Sequence, residues 1–435
     1  MNILVIGSGG REHALACSLA ASPSSETVYV APGNGGGAPG VVNVTAEAFG
    51  RALDVSNAAE VIAFAREHQI QLVVIGPEAP LVAGLADDIR AAGLACFGPG
   101  AAGAQLEGSK KFSKELMERY GIPTAAFKSF TEEAAARAYL EEQGVPIVVK
   151  ADGLAAGKGV TVAFTLEEAQ AAVHECFAGR FGEGGTTVVI EEYMTGPECS
   201  LLVFTDGITV LPMAPAQDHK RAFEGDKGPN TGGMGVYSPV PIVTKEEHAA
   251  MLRLMEQTVV ALQTEGIDYR GVLYGGFMLT PQGPRVLEFN ARFGDPETQV
   301  ILPRLQTDLL EVMIATDEKR LADIELEWDD AWAVSVVLAS AGYPGDYKKG
   351  LPIVGVEEAE ALENVKLYHA GTKLLADGML VTNGGRVLNV TALGATFEEA
   401  RERAYEAVNL IHFEGKQFRR DIGARALKGR SAWDG

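Results

Sequence analysis

Apolar residues follow three spacings along this chain, and each predicts a different element. Unbroken apolar runs at residues 3–6, 72–75 and 188–190 predict strands, and the first reads as a strand buried on both faces of a parallel sheet. Residues 285–290 alternate instead. That predicts a strand with Val286, Glu288 and Asn290 on one face and Leu287 and Phe289 on the other, the second pair facing a core. Helices are predicted after the first glycine turn as far as Ala21, and over about 109–120, 131–143, 245–265 and 397–411.

These elements group into four units of a multidomain α/β chain. Residues 1–122 predict an open parallel α/β domain, with strands at 3–6, 28–30, 72–75 and 96–97. Pro123 opens a small α+β unit, 123–190, with strands near 126–130 and at 145–150, a third ending at Phe164, and a helix to about Ala178. Residues 191–328 predict a core: a hairpin of 200–204 with 208–213, a long helix, and a strand 271–280 paired with 285–290 through a Pro-Gln-Gly-Pro turn. From residue 329 to 435 a separate α+β domain is expected. Its strand 333–339 is apolar, and 374–381 and 386–393 flank Asn383-Gly384, a hairpin signal. Nothing in it points to chemistry.

The glycine turn Gly7-Ser8-Gly9-Gly10 ends one strand and opens a helix, an arrangement that holds anions on the helix N-terminus. A dinucleotide fingerprint needs a third glycine where Glu12 stands, and no clean acidic residue ends the second strand. A phosphate or sugar phosphate therefore suits this loop better than NAD, set against a tight turn with no ligand. Pro32-Gly33-Asn34-Gly35 and Gly76-Pro77-Glu78-Ala79-Pro80 sit at further strand ends, and loops converging at one edge make a pocket. Lys110, Lys111 and Lys114 start a helix against its dipole, so they are solvated or one of them meets an anion.

The loop from Ala151 to Val160, with Gly153, Gly157, Lys158 and Gly159, is a hairpin that can fold over a triphosphate, with Lys150 reaching the phosphates. It is no P-loop, because Gly159 takes the hydroxyl position. The segment Glu191-Glu192-Tyr193-Met194 can offer backbone to an adenine edge, and Glu198 can take ribose hydroxyls. Asp218, His219, Lys220 and Arg221 lead into the glycine-rich 228–235 stretch, which reads as an anion-binding loop. His219 is expected to be a hydrogen-bond donor rather than a base. Glu288 and Asn290, roughly 7 Å apart along a strand, are hard oxygen donors suited to sharing Mg²⁺ with substrate phosphates. Arg292, Asp295 and Glu297 crowd the loop beyond, which favours a metal–phosphate site over a plain polar surface.

Composition narrows this further. At 435 residues the chain is too long for one core. A net charge of −21 argues against nucleic acid and anionic membranes, so phosphates must be met by local Lys, Arg and backbone N–H groups. Four dispersed cysteines without a C-x-x-C predict free thiols in a reducing compartment. The N-terminus reads as a first strand rather than a signal peptide, and no apolar run is long enough to span a membrane.

Taken in order, GSGGREHAL, APGNGG, GPEAPLVAG, KADGLAAGKGV, EEYMTGPE, QDHKR, GPNTGGMG and LEFNARFGDPETQ resemble the glycinamide ribonucleotide synthetase family of the ATP-grasp superfamily, over essentially the whole chain. The resemblance implies an ATP-grasp core (191–328), a mobile lid (123–190) and cytoplasmic, ATP-dependent ligation of glycine to 5-phosphoribosylamine through a glycyl phosphate, in purine biosynthesis. It implies Mg²⁺ or Mn²⁺ on Glu288 and Asn290, and Lys111 and Lys150 on ATP phosphates. The hairpin of Gly153, Gly157, Lys158 and Gly159 becomes the lid tip, Glu191 and Tyr193 lie at adenine and Glu198 at ribose. Arg292 clamps the glycine carboxylate or acyl phosphate, Asp295 lies near the glycine amine, and Asp218, Lys220 and Asn230 line the site. Gly9, Gly10, Pro32, Gly33, Asn34, Gly76 and Glu78 cradle the ribose phosphate. The implied partners are small molecules met by a monomer, with transient contact to an upstream amidotransferase. Where many ATP-grasp enzymes carry another acidic ligand, the preceding strand offers Tyr274, Phe277 and Met278.

Two other readings compete. A sister ligase using formate or bicarbonate would share the fold and differ in the acid pocket. A nucleotide sensor would have little need for Lys150, Glu288, Asn290 and Arg292 together.

Overall fold

The computed structural model describes residues 1–154, 159–180 and 187–428. Its first domain is organised on the strand Asn2–Gly7, which pairs in parallel with Thr27–Pro32 and Ile70–Ile75. Val41–Asn43 and Ala95–Phe97 complete a five-stranded parallel sheet. Leu4 and Ile6 enter one core cluster while Ile3 and Val5 enter another, which is why the run has no polar position. Gly7 lies opposite Pro32 and Ile6 opposite Ile75, so three loops leave one edge of the sheet together.

The next unit is a four-stranded antiparallel sheet in the order Phe127–Phe130, Val188–Glu192, Ile147–Ala151, Val160–Ala163. Helices Glu133–Gln143 and Leu166–Phe177 pack with it around a separate core of Leu140, Val149, Val173 and Ile190. Thr165 and Glu168 form a capping box that sets where the second helix starts.

In the centre, Val210–Pro212, Glu198–Thr205, Gly271–Thr280 and Gly283–Asn290 form an antiparallel sheet against the helix Lys245–Thr264. The last strand departs from strict alternation. Gly276 faces Glu288 but Phe277 faces Val286, so Leu287 is an extra, bulged residue. Val286 consequently joins Phe289 in the core instead of sharing a face with Glu288, and Leu287 packs near Met194 and Met278.

The final sheet runs Gln217–Asp218, Gly235–Ser238, Trp332–Ala339, Arg386–Gly394, Val365–His369. Two of these strands precede residue 329, so the expected separate C-terminal domain shares its sheet with the core. The hairpin expected about Asn383-Gly384 does not form. Val387, Leu388, Val390 and Ala392 are fully buried, and Arg386–Gly394 takes partners on both edges, Trp332–Ala339 and Val365–His369. The 374–381 stretch is split between two strands of a small hairpin of its own, Thr372–Leu374 with Leu380–Thr382. Among the described residues no helix is long and apolar enough to cross a membrane.

Candidate functional site

Glu288 and Asn290 stay together at the end of their strand, ringed by cations. Burial disfavours the Glu288 charge, but Lys220, Lys150, Lys110 and Arg292 outweigh it and hold its pKa below the usual carboxylate range. Asn290 Oδ1 has a long contact of 3.4 Å from Arg292 Nη2, which leaves acceptor capacity unspent. Among the described residues no three His, Cys, Asp or Glu side chains converge on one metal position. Two oxygens from the protein, with the rest from phosphates, match the habit of Mg²⁺.

Lys150 Nζ lies 3.0 Å from Glu191 Oε2 and 3.4 Å from Leu287 O. The same Glu191 oxygen is 3.0 Å from Lys114 Nζ, so one buried carboxylate bridges two buried lysines. Burial outweighs that carboxylate at Lys114 and lowers its pKa to about 8. Lys110 Nζ donates to Gly153 O at 2.8 Å and faces Glu288 and Lys150. Lys111 turns to solvent, its Nζ 3.8 Å from Glu115. Each residue turns the helix by about 100°, so the neighbouring Lys110 and Lys111 side chains leave it in different directions. Gly153 has φ +93°, where a Cβ is costly, and Gly159 O accepts the Ala151 N–H at 2.8 Å. Gly157 and Lys158 lie outside the described residues. Tyr193 packs edge-on to Phe164 at 5.5 Å, and burial raises the Glu198 carboxyl.

Asp218 and Lys220 form an ion pair of 3.3 Å. Partial loss of solvation disfavours the charge of the half-buried Lys220, but Asp218, Glu198 and Glu288 outweigh that and raise its pKa well above the usual lysine value. His219, between them in sequence, is no base. Its Nε2 accepts the Gly423 N–H at 3.0 Å, Nδ1 lies 3.3 Å from Gly235 O, and burial takes its pKa to about 4. Close by, Glu297 Oε1 accepts from the hydroxyls of Tyr274 at 3.0 Å and Ser200 at 3.3 Å.

Arg292 is held by the first domain. Its Nη2 donates to Glu107 Oε1 at 2.7 Å, and its Nε is 3.4 Å from Glu78 Oε2. Glu107 Oε2 also accepts the Ala291 N–H at 2.8 Å, fixing the corner after Asn290. Glu78 thus faces a guanidinium. At the first glycine loop, the Gly9 N–H donates to Glu12 Oε2 at 2.6 Å. The helix N-terminus already holds an anion from its own chain. A Cβ at Gly7 or Gly76 would come within 2.4 or 2.2 Å of Glu12, so these glycines make room for that side chain. Gly10 packs on Asn389 and Gln299.

Gly9, Gly33 and Asn34 line one wall of a cavity of about 290 Å³, with Asp295 beside them and Thr372, Asn383 and Arg386 opposite. Asn34 Nδ2 staples the walls, donating to Ser8 O at 2.9 Å and His369 O at 2.7 Å. Arg386 Nη1 donates to Asp295 O at 2.9 Å and Gly232 O at 2.8 Å, and Nη2 lies 3.3 Å from Asp295 Oδ2. Gln299 Nε2 donates to the other Asp295 oxygen at 2.8 Å. Burial opposes the Asp295 charge, but Arg386 and Arg11 hold its pKa down. Pro32, which ends its strand opposite Gly7, and Asn230, opposite Arg221 in a small hairpin, are not among the cavity-lining residues.

The family models for phosphoribosylglycinamide synthetase match in succession: the N domain over residues 1–107, the ATP-grasp (A) domain over 108–298 and the C domain over 333–425. The chain belongs to the phosphoribosylglycinamide synthetase family. Phosphoribosylamine–glycine ligase of Escherichia coli (strain K12) is 53% identical over 433 residues, covering 98% of this chain and 99% of that protein. The ligase of the same name from Brucella melitensis is 52% identical, covering 99% of this chain and all of its own length. The crystal structure of phosphoribosylamine–glycine ligase from Thermotoga maritima aligns with a TM-score of 0.83 at 34% identity, covering 97% of this chain and 100% of that one.

Several residues that crowd these groups carry little local signal in the sequence. Lys110 stands beside Lys111, and what separates them is the contact of Lys110 with Gly153 O, which only the fold provides. Arg386 follows Asn383-Gly384-Gly385, a glycine turn that pointed to a hairpin rather than a ligand wall. Glu107 and Tyr274 carried no local signal, since only the fold brings them to Arg292 and Glu297.

Proposed function

We propose that this chain joins glycine to 5-phosphoribosylamine at the expense of ATP, through a glycyl phosphate. The observation that carries the reading is the loop after Asn290. Arg292 sits beside the Glu288–Asn290 pair, while Asp295, three residues on, lines a cavity large enough for a sugar phosphate. An acid is activated on one side of that loop and its nucleophile waits on the other.

ATP lies over Lys110 and Lys150, with Gly153 and Gly159 beside the phosphates, adenine near the Glu191–Tyr193 segment and ribose near Glu198. A divalent ion on Glu288 and Asn290, Mg²⁺ or Mn²⁺, would neutralise charge on the phosphate oxygens. Arg292 orients a glycine carboxylate oxygen toward the γ-phosphorus. A new O–P bond forms, the bond from the γ-phosphorus to the bridging oxygen breaks, and ADP leaves. The amine in the cavity then attacks the acyl carbon. A C–N bond forms, the C–O bond to phosphate breaks, and phosphate departs as the nitrogen loses a proton. Lys220 and Arg292 stabilise the oxygens that gain charge. Enclosure protects the acyl phosphate, since water competes with the amine. The free state of all four cysteines suits the cytoplasm.

The test is ADP release with Mg²⁺–ATP, comparing glycine plus freshly generated phosphoribosylamine against formate and bicarbonate. Release that requires glycine and the amine together is the expected result. Release with another acid would make the protein a sister ligase, and no release despite ATP binding would make it a sensor.

A further inference from the structure

The two carboxylates on Arg292 are not equivalent. Glu107 is firm: its contact is 2.7 Å, its side chain is 8% exposed, and its second oxygen is fixed on the Ala291 N–H. Glu78 is loose: its contact is 3.4 Å and its side chain is 29% exposed. One guanidinium facing two carboxylates has no positive charge to spare for a third anion. A glycine carboxylate or an acyl phosphate is such an anion. Glu78 opens the helix Glu78–Val82 on the loop next to the cavity wall, since the Gly76 N–H donates to Ile6 O at 3.0 Å and Ile6 leads into Gly7–Gly9. Arg11 ties the same corner together: it acts on the charges of both Glu78 and Asp295, and its Nη1 shares the Phe293 carbonyl with Arg292 Nη1, at 3.1 and 3.2 Å.

We propose that Glu78 makes the activation of glycine depend on the amine. With the cavity empty, Glu78 pairs with Arg292 and keeps it neutralised. A phosphoribosylamine in the cavity offers hydroxyl and amine donors that draw the loose carboxylate away. Arg292, still steered by Glu107, then accepts the acid. The device suppresses a wasteful cycle in which glycyl phosphate forms with no nucleophile present: water adds to the acyl carbon, its bond to the phosphate oxygen breaks, and glycine and phosphate are released. The proposal rests on the ligase reading above.

Glu78→Gln in the full chain keeps the size of the side chain and removes the charge. ADP release with Mg²⁺–ATP and glycine but no amine should rise about tenfold over the parent enzyme. With the amine present, ADP released should exceed glycinamide ribonucleotide formed. Glu107→Gln should behave differently, raising KM for glycine about tenfold with no rise in amine-free ADP release. If Glu78→Gln does not fold, Glu78→Asp, which retracts the carboxylate, is measured for the same uncoupling. Amine-free release at the parent rate, with only KM for the amine raised, would reduce Glu78 to a binding residue and overturn the proposal. A parent enzyme that activates another acid would instead sink the ligase reading, so the two failures are distinguishable.

Discussion

Arg292 and Arg386 flank the same loop and are enclosed to similar degrees, with 17% and 20% of their side-chain surfaces exposed. Their partners differ. Arg292 faces Glu107 and Glu78. Arg386 spends its donors on two backbone carbonyls and meets one carboxylate, Asp295, which Gln299 also engages. A carbonyl satisfies a donor without cancelling its charge. Arg386 meets one carboxylate, which Gln299 also engages, so a phosphate in the cavity faces less competition there, whereas Arg292 is neutralised by two acids until one is displaced. The difference is between a standing anion site and a conditional one. Both arginines serve a protein of net charge −21, in which phosphate binding has to be built locally.

The harshest way to break this comparison is to remove the metal face that Arg292 serves and the Arg386 side does not. Glu288→Ala should abolish turnover, by a factor of about a thousand or more, with folding nearly intact by circular dichroism. Major unfolding would make Glu288 a structural residue. Arg386→Ala acts on the other side: KM for phosphoribosylamine should rise on the order of tenfold to a hundredfold, with ATP affinity within about twofold of the parent. Equal damage to ATP binding and to the amine KM would show that Arg386 braces the whole site and would erase the distinction. Next in size is the helix-phase difference. Lys110→Ala should weaken ATP binding about tenfold and Lys111→Ala less than about twofold, measured by calorimetry. The reverse order would return Lys111 to the phosphates.

How much of this was legible depends on how far apart the partners lie in sequence. Glu288, Asn290, Arg292 and Asp295 stand within eight residues, so spacing alone brought them together. Lys150 and the glycine loop beside it were legible for the same reason. The bulge at Leu287 was not, because it depends on the register with Gly276 and Phe277 and not on the strand's own alternation. The cavity needed residues near 9, 34, 295 and 386 at once. Arg386 in particular lies on a strand whose apolar pattern shows that it is buried, but not that its first residue reaches across to Gly232 and Asp295. The glycines of the 228–235 loop looked like ligand glycines. Two of them are contact glycines: a Cβ at Gly232 would sit 3.0 Å from the Arg386 guanidinium carbon, and one at Gly233 would sit 2.5 Å from Pro296. Glycine composition signals a close approach without saying what approaches.

The smallest expected effect separates the two sides by pH. The Arg292 side is held by ion pairs: burial notwithstanding, nearby cations keep Glu78 and Glu288 below the usual carboxylate range, while burial raises the Glu107 carboxyl. The cavity wall is held by neutral histidines. The His369 N–H donates to His13 Nδ1 at 3.0 Å, His369 Nδ1 lies 3.1 Å from Thr372 Oγ1, and the rings meet edge-on at 5.3 Å. Burial lowers their pKa values to about 4 for His13 and about 3 for His369. Unfolded histidines take up protons near pH 6.5, so below that pH the unfolded chain binds more protons and stability falls. The loss is on the order of 1–2 kcal/mol per histidine by pH 5. Over this window the lowered pKa values of Glu78 and Glu288 preserve their charge, so the wall at Asn34 and Thr372 should loosen before the Glu78–Arg292 pair. Urea unfolding at pH 7 and pH 5 measures the loss. His13→Gln should shrink the pH dependence by about one proton's worth. An unchanged slope in that variant would mean that the acid sensitivity arises elsewhere, with His219 as the next candidate because its pKa is also lowered to about 4.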